Sequence, residues 1–238
     1  MTLNQAVSVS IVIPTLNESE GIVNTINSVI ESLGSFNSYE IIVVDDSSTD
    51  GTSEIVNQLA FVNPKVICLS RRGARSLGAS VGDGVRAARN QVLIIMDADL
   101  THNPSYIPKM VGMLTDFDVI IGSRFVPGGG MPVFGHYLSS RIFNVFIRSL
   151  LRTKVSDNLS GFLVFNKQDF SEEDMNLIFY GYGDFAIRLI VFFNFLNLRI
   201  KEFPIIYRLR THGKSKSNFL KLLFRYGFAT IRATRIPF

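Results

Sequence analysis

The chain has 238 residues, 47% of them hydrophobic, and 24 Lys and Arg against 20 Asp and Glu. That length closes one sizeable core, and a single cysteine, Cys68, excludes an intrachain disulfide framework and a cysteine metal cluster, so a reducing, cytoplasmic setting is expected. Charged residues make up only 18%, and the mean hydropathy of +0.25 points either to a large buried sheet or to a lipid surface nearby.

In chain order, apolar β-branched runs alternate with helical patterns. VSIVIP (9–14) reads as a strand and 20–33 as a helix. EIIVVDD (40–46) is a second strand, followed by a helix over 52–59. KVICLS (65–70) is a third strand and 79–88 a third helix. QVLIIMD (91–97) is a fourth strand with its helix over 106–114, and DVIIGS (118–123) is a fifth. Runs apolar on both faces and separated by helices predict a mostly parallel sheet covered on both sides, an open α/β domain whose ligands bind at the carboxyl ends of the strands.

The second half is less regular. VPGGGMP (126–132) is a loop by composition, and 137–151 a helix. SGFLVFN (160–166) reads as a short strand and GDFAIRLIVFFNFL (183–196) as a mostly buried helix. RIKEFPIIYRLR (199–210) reads as a strand with Pro204 at an edge or bulge, THGKSKS (211–217) as a basic loop, and 218–234 as an amphipathic helix. The opening residues lack a basic region and a cleavage site, so no secretory leader is expected. The run Leu189 to Leu196 falls far short of the ~20 residues of a spanning helix. From Arg199 onward ten basic residues face one acid, Glu202, interleaved with Phe, Leu and Tyr; that composition suits phosphate or an anionic membrane surface. Nucleic acid is not expected as a partner, because binding it gives no reason to gather acids at strand ends.

Those acids are the sharpest feature. Asp45 and Asp46 end the second strand; Asp97 and Asp99 end the fourth, with Ala98 between them. An Asp after a strand often caps the next turn. Acids converging on one edge also need a counter-charge, and a hard divalent cation, Mg²⁺ or Mn²⁺, bound by one or two carboxylates and substrate phosphates supplies it. No glycine-rich phosphate loop accompanies them, so metal and basic side chains are expected to hold the phosphates. The histidines, His102, His136 and His212, are not at metal-ligand spacings and read as surface or loop residues.

VIPTLNE, EIIVVDDSSTDGT, IIMDADLTHNP and GSRF, in this order, resemble family 2 glycosyltransferases of the GT-A fold, and SDNLSGF with RTHGKSKSNFLK resembles their dolichyl-phosphate mannosyltransferase branch. The resemblance implies one catalytic domain over 1–238: a nucleotide-sugar half (1–125), an acceptor half (126–216) and a membrane-surface helix (217–238). It implies that Pro14, Leu16 and Glu18 line the nucleoside pocket and that Val44 and Asp46 hold base or ribose. Asp97, Ala98 and Asp99 meet metal and diphosphate, with Thr101 in the position of a third metal ligand. Arg124 contacts phosphate, Arg210 and Lys216 clamp the diphosphate, and Ser140 and Arg141 stand where acceptor-phosphate contacts occur. Leu16 replaces the aromatic common after PT, and GYGDFAIRLI lacks the acidic pattern of the mannosyltransferases.

The implied reaction transfers mannose from GDP-mannose to a polyprenyl or dolichyl phosphate with inversion, without a general base, because a phosphate acceptor is already anionic. The alternative is a UDP-sugar donor or a glycan or glycolipid hydroxyl acceptor, which needs a base; Asp184 is the candidate, and also a candidate helix cap. The expected location is the cytoplasmic face of a membrane, with a membrane-anchoring subunit as a further expected partner.

Overall fold

Strands that are apolar on both sides need cover on both sides, and the computed structural model, which describes residues 7–167, 170–209 and 219–234, supplies it. The strands are β1 (Ser8–Thr15), β2 (Ser38–Asp45), β3 (Val66–Ser70), β4 (Val92–Ile95), β5 (Val119–Ser123), β6 (Leu163–Asn166) and β7 (Ile200–Pro204). They form one sheet in the order β3-β2-β1-β4-β6-β5-β7. Side chains alternate along each strand. Ile11 and Ile13 of β1, Val43 of β2 and Ile94 of β4 face α1 (Ile22–Ser32), α2 (Thr52–Val62) and α4 (Ile107–Gly112). Val12, Val44 and Ile95 face α3 (Leu77–Ala87), α6 (Glu172–Ile178) and α7 (Phe185–Phe195). Two further helices, α5 (Phe134–Leu151) and α8 (Phe219–Ala233), pack on each other through Phe143, Tyr226, Ile147 and Ala233.

The expected mostly parallel α/β sheet is present, with one strand reversed: β6 runs antiparallel to both β4 and β5. Pro204 closes β7 at the sheet edge, where its missing N–H costs no ladder bond. α3 starts at Leu77, earlier than 79, because the Ser76 side chain accepts the Ala79 N–H at 3.2 Å and caps it. α4 is a short α-turn flanked by two 3₁₀ turns, and α5 begins three residues before 137. The sequence reading passed over α6, although its capping box is written in the sequence: Ser171 and Asp174 exchange hydrogen bonds.

α3 crosses the sheet at close range because Gly84 has no side chain. A Cβ there would land on the Val12 and Val44 methyls, which are fully buried and have nowhere to move. Gly84→Ala is therefore expected to destabilise the fold by about 1–3 kcal/mol through overpacking, more than the gain of up to about 1 kcal/mol in helix propensity. A lower urea midpoint is expected; an unchanged or higher one would show that α3 tolerates a wider spacing.

Candidate active site

Because β6 is reversed, its amino end lies beside the carboxyl ends of β1, β2, β4, β5 and β7. The residues at this edge frame a cavity of about 560 Å³, within the range of small-molecule sites.

At its centre, β4 runs through buried Met96 into Asp97, Ala98 and Asp99, all three lining the cavity. Leu100 takes a left-handed conformation, φ 58°. The turn brings the Thr101 N–H and hydroxyl back onto Asp99 Oδ1, at 3.0 and 2.7 Å. Thr101 thus orients Asp99, and it is not among the residues lining the cavity. The Asp97 side chain remains 44% exposed. The missing side chain of Gly161 keeps the space beside it open, since a Cβ there would stand 3.2 Å from Asp97 Oδ1. Among the described residues no group of three or more acidic, His or Cys side chains is gathered for a metal. Two carboxylates with room for waters and phosphate oxygens still fit a hard divalent cation, which is commonly held in that way.

At one end, Pro14, Leu16, Glu18 and Asp46 line the cavity. The loops carrying them are tied together: Asn17 N–H donates to Ser48 Oγ at 2.8 Å, and Asn17 Oδ1 accepts the Thr49 N–H at 2.8 Å. Asp46 is pinned by Arg71 and by the Ser76 N–H at 2.6 Å, while Arg71 Nε also reaches Asp83 at 2.7 Å. Val44 does not reach the cavity. Its side chain is fully buried on the α3 face, a floor beneath Asp46 and not a contact for base or ribose. Arg75, which the sequence reading did not single out, stands on the rim with Nη2 3.0 Å from the Ser47 carbonyl oxygen.

On the opposite wall is Arg124, buried and lining the cavity. Asp157, fully buried, takes its Nε at 2.7 Å and its Nη2 at 2.6 Å. Burial alone would lower the guanidinium pKa, but Asp157, Tyr207, the hydrogen bonds and Asp97 together outweigh it and hold the group above its ordinary value. Glu202 of β7 braces the pair by accepting the Ser156 and Asp157 N–H groups at 2.9 and 3.1 Å. The guanidinium also lies 4.6 Å from the Tyr207 ring centre.

Tyr207 leads back to the carboxylates. Its hydroxyl is 2.8 Å from His102 Nε2, and His102 Nδ1 accepts the Asp97 backbone N–H at 3.2 Å. An accepting Nδ1 makes His102 a neutral imidazole with its proton on Nε2. That proton is donated to the Tyr207 oxygen, so the phenol keeps its own O–H to donate elsewhere. Burial pushes the Tyr207 pKa well up, Arg124 pulling against it, so the phenol stays protonated. His102 thus sits in the loop after β4, as one of its two expected readings had it, but buried and stacked on Phe162 and not on the surface.

Three further expectations change. Asp184 is buried and paired with Arg188, and it accepts the Tyr182 N–H at 2.9 Å. It makes no side-chain cap to α7 and does not line the cavity, although Tyr182, Gly183, Phe185 and Ala186 around it do. Ser140 and Arg141 sit on α5 away from the cavity lining, where Arg141 reaches Tyr137 Oη at 3.0 Å and the Ser140 carbonyl accepts from Asn144. Arg210, Lys216 and His212 lie outside the described residues.

Comparison with known proteins gives the family of the chain. The family model described as glycosyl transferase family 2 matches residues 10–173. The chain is 31% identical over 223 residues to the dolichol-phosphate mannosyltransferase of Pyrococcus furiosus, covering 92% of this chain and 61% of that protein; it thus spans about three fifths of that relative's length. It is 33% identical to the dolichol-phosphate mannosyltransferase of Mycosarcoma maydis, covering 92% and 76%. The solved structure of glucosyl-3-phosphoglycerate synthase from Mycobacterium tuberculosis, in complex with Mn²⁺ and uridine-diphosphate-glucose, superposes with a TM-score of 0.70 at 20% identity, over 98% of this chain and 80% of that one, and shares the fold.

Two substitutions test the wall opposite the carboxylates. Asp157→Ala strands the buried Arg124 charge and is expected to cost about 3–5 kcal/mol in urea denaturation; a loss below about 1 kcal/mol would mean that Arg124 is solvated. Tyr207→Phe leaves the ring under Arg124 but orphans the buried His102 N–H. About 1–3 kcal/mol is expected to be lost, and no loss would show that water or another group satisfies His102 Nε2 in place of the phenol.

Proposed function

Because the chain belongs to glycosyl transferase family 2, we propose that it transfers a sugar from a nucleoside diphosphate to the phosphate of a dolichyl or other polyprenyl phosphate, with GDP-mannose as donor. The name carried by the Pyrococcus and Mycosarcoma relatives supports both the sugar and the acceptor.

One observation carries the base-free form of the reaction. Asp184, the candidate base of the second half, is spent on Arg188, while Arg124 and Tyr207 share the cavity with Asp97 and Asp99. A hydroxyl acceptor must lose a proton; a lipid phosphate arrives as an anion and needs only donors that hold it in line. Pro14, Leu16, Glu18 and Asp46 receive the nucleoside. Asp97 and Asp99 would hold Mg²⁺ or Mn²⁺, which would supply neutralisation of charge on the departing diphosphate. Arg210 and Lys216 are assigned to the same diphosphate. Arg124, fixed by Asp157, and the Tyr207 hydroxyl donate to the acceptor phosphate as it attacks the sugar C1 from the face opposite the nucleotide, which inverts the configuration. Residues 1–125 thus serve mainly the donor and 126–216 mainly the acceptor, with Arg124 reaching across to the acceptor phosphate and Arg210 and Lys216 back to the diphosphate. The enzyme works at the cytoplasmic face of a membrane, and a membrane-anchoring subunit is part of this reading.

The decisive experiment incubates the protein with GDP- and UDP-sugars, Mn²⁺ or Mg²⁺ and a polyprenyl phosphate, then weighs the lipid product. Mannosyl lipid phosphate from GDP-mannose is expected, and product from UDP-sugars alone would overturn the donor. Asp99→Ala is expected to lower turnover roughly 10²-fold or more, and a chelator to abolish it; full turnover in excess chelator would remove the metal role. Asp184→Asn with transfer lost and donor binding intact would reinstate a base.

A further inference from the structure

Arg188 of α7 is buried, 2% exposed, and the reaction above gives it no part. An arginine in an apolar interior persists only when it is paired and hydrogen-bonded. Its partner is Asp184, four residues earlier and also buried. The rest of the guanidinium works on backbone. Nε donates to the Ile178 carbonyl at 2.8 Å and Nη2 to the Tyr180 carbonyl, and the group lies 3.7 Å from the centre of the Tyr180 ring. Asp184 in turn accepts the Tyr182 N–H at 2.9 Å. One buried ion pair thus holds the backbone at 178, 180 and 182, the turn that joins α6 to α7.

The front of this turn is pressed on α3. Gly181, left-handed at φ 75°, offers its carbonyl to the Ser76 hydroxyl at 2.8 Å and to the Gly78 N–H at 3.2 Å. The approach is close enough that a Cβ on Gly78 would stand 2.3 Å from the Tyr180 carbonyl oxygen. Ser76 also holds Asp46 through its N–H, at the nucleoside end. At its other end the turn meets α8, where a Cβ on Gly183 would stand 2.4 Å from the Tyr226 hydroxyl oxygen. Tyr182 and Gly183 line the cavity between these two anchors. A donor's sugar has to lie along that stretch, between the nucleoside at Asp46 and the acceptor phosphate at Arg124.

We propose that Arg188, acting through Asp184 and the backbone of 178–182, is a positioning residue that sets the Tyr182–Gly183 wall against the transferred sugar and so governs which hexose is accepted. The inference rests on the reading above only for the presence of a nucleotide-bound sugar. Arg188 itself does not line the cavity. A lysine in its place is a single point charge where the guanidinium is a rigid fork. It keeps the charge opposite Asp184 and releases the backbone at 178 and 180. The nucleoside end has anchors of its own, Arg71 on Asp46 and the Asn17–Ser48 contact, and is not expected to move.

The test is calorimetric titration of the full chain, with Mn²⁺ and without acceptor, by GDP, GDP-mannose and GDP-glucose. Unfolded protein lowers the stoichiometry in this measurement and leaves Kd alone, so a merely structural loss does not imitate the result. Wild type is expected to bind GDP-mannose more tightly than the glucose epimer. Arg188→Lys is expected to bind GDP-mannose about fivefold or more weakly, the loss of roughly one hydrogen bond, while GDP stays within about twofold; the preference over GDP-glucose is lost with it. Arg188→Met/Asp184→Leu removes both buried charges together and serves, with the same expected pattern, if the lysine variant folds poorly. Equal weakening of GDP and GDP-mannose, unchanged Kd values for all three ligands in a folded variant, or no sugar preference in wild type would each overturn the proposal. A wild type that binds only uridine nucleotides overturns the donor reading instead, and the same comparison then runs on UDP, UDP-glucose and UDP-galactose. Failed transfer to a polyprenyl phosphate beside the expected binding pattern condemns the acceptor and leaves the role of Arg188 standing.

Discussion

Arg124 and Asp157 come from segments 33 residues apart, and neither can be buried without the other, since an unpaired charge in this interior would cost several kcal/mol. Their pairing therefore dictates how the second half of the chain closes on the first. Glu202 grips the loop behind Asp157, and Ser160 Oγ donates to the Gly122 carbonyl at 2.6 Å, so β5, β7 and the strand between β5 and β4 are locked in one arrangement. From there a chain of contacts runs to the carboxylates: Arg124 over the Tyr207 ring, the Tyr207 oxygen on His102, and His102 on the Asp97 backbone. The two walls of the cavity are held apart by this chain and not by loops alone.

The same edge gathers acids that repel one another, and the structure treats them in two ways. Asp46, Asp157 and Asp184 each meet an arginine and become parts of the frame. Asp99 is met by the neutral hydroxyl and N–H of Thr101, which orient it without cancelling its charge, and Asp97 keeps much of its side chain open to the cavity. Acids oriented by neutral donors at the edge of an open cavity are suited to hold a cation. The pairing of Asp184 with Arg188 makes it part of that frame as well.

Much of this was legible in the chain. Period-two and period-3.6 patterns placed the strands and helices of the first half, because each of those elements buries its own apolar residues regardless of its neighbours. The position of Asp97 and Asp99 followed from the rule that open α/β sheets bind at their carboxyl edge. The differences share a cause. Thr101, His102, Val44, Asp184, Ser140 and Arg141 all carried side chains capable of the expected roles or stood at matching positions. What each one does depends on a partner that is either distant in sequence or on the far face of a helix. The capping box of α6 is a different case, a local signal that was present and passed over.

The sequence by itself determined the class of the fold, the acidic strand end and the basic segment from Arg199 onward, since composition and periodicity are properties of a chain read along its length. Only the tertiary structure decided which acids meet an arginine and which line the cavity. The reversal of β6 brought Asp157 to Arg124, the return of β7 brought Tyr207 to His102, and the packing of α8 on α5 brought Tyr226 to the cavity. Hydrogen bonds and ion pairs act over about 3 Å, and no spacing along the chain reports which side chains folding will bring that close.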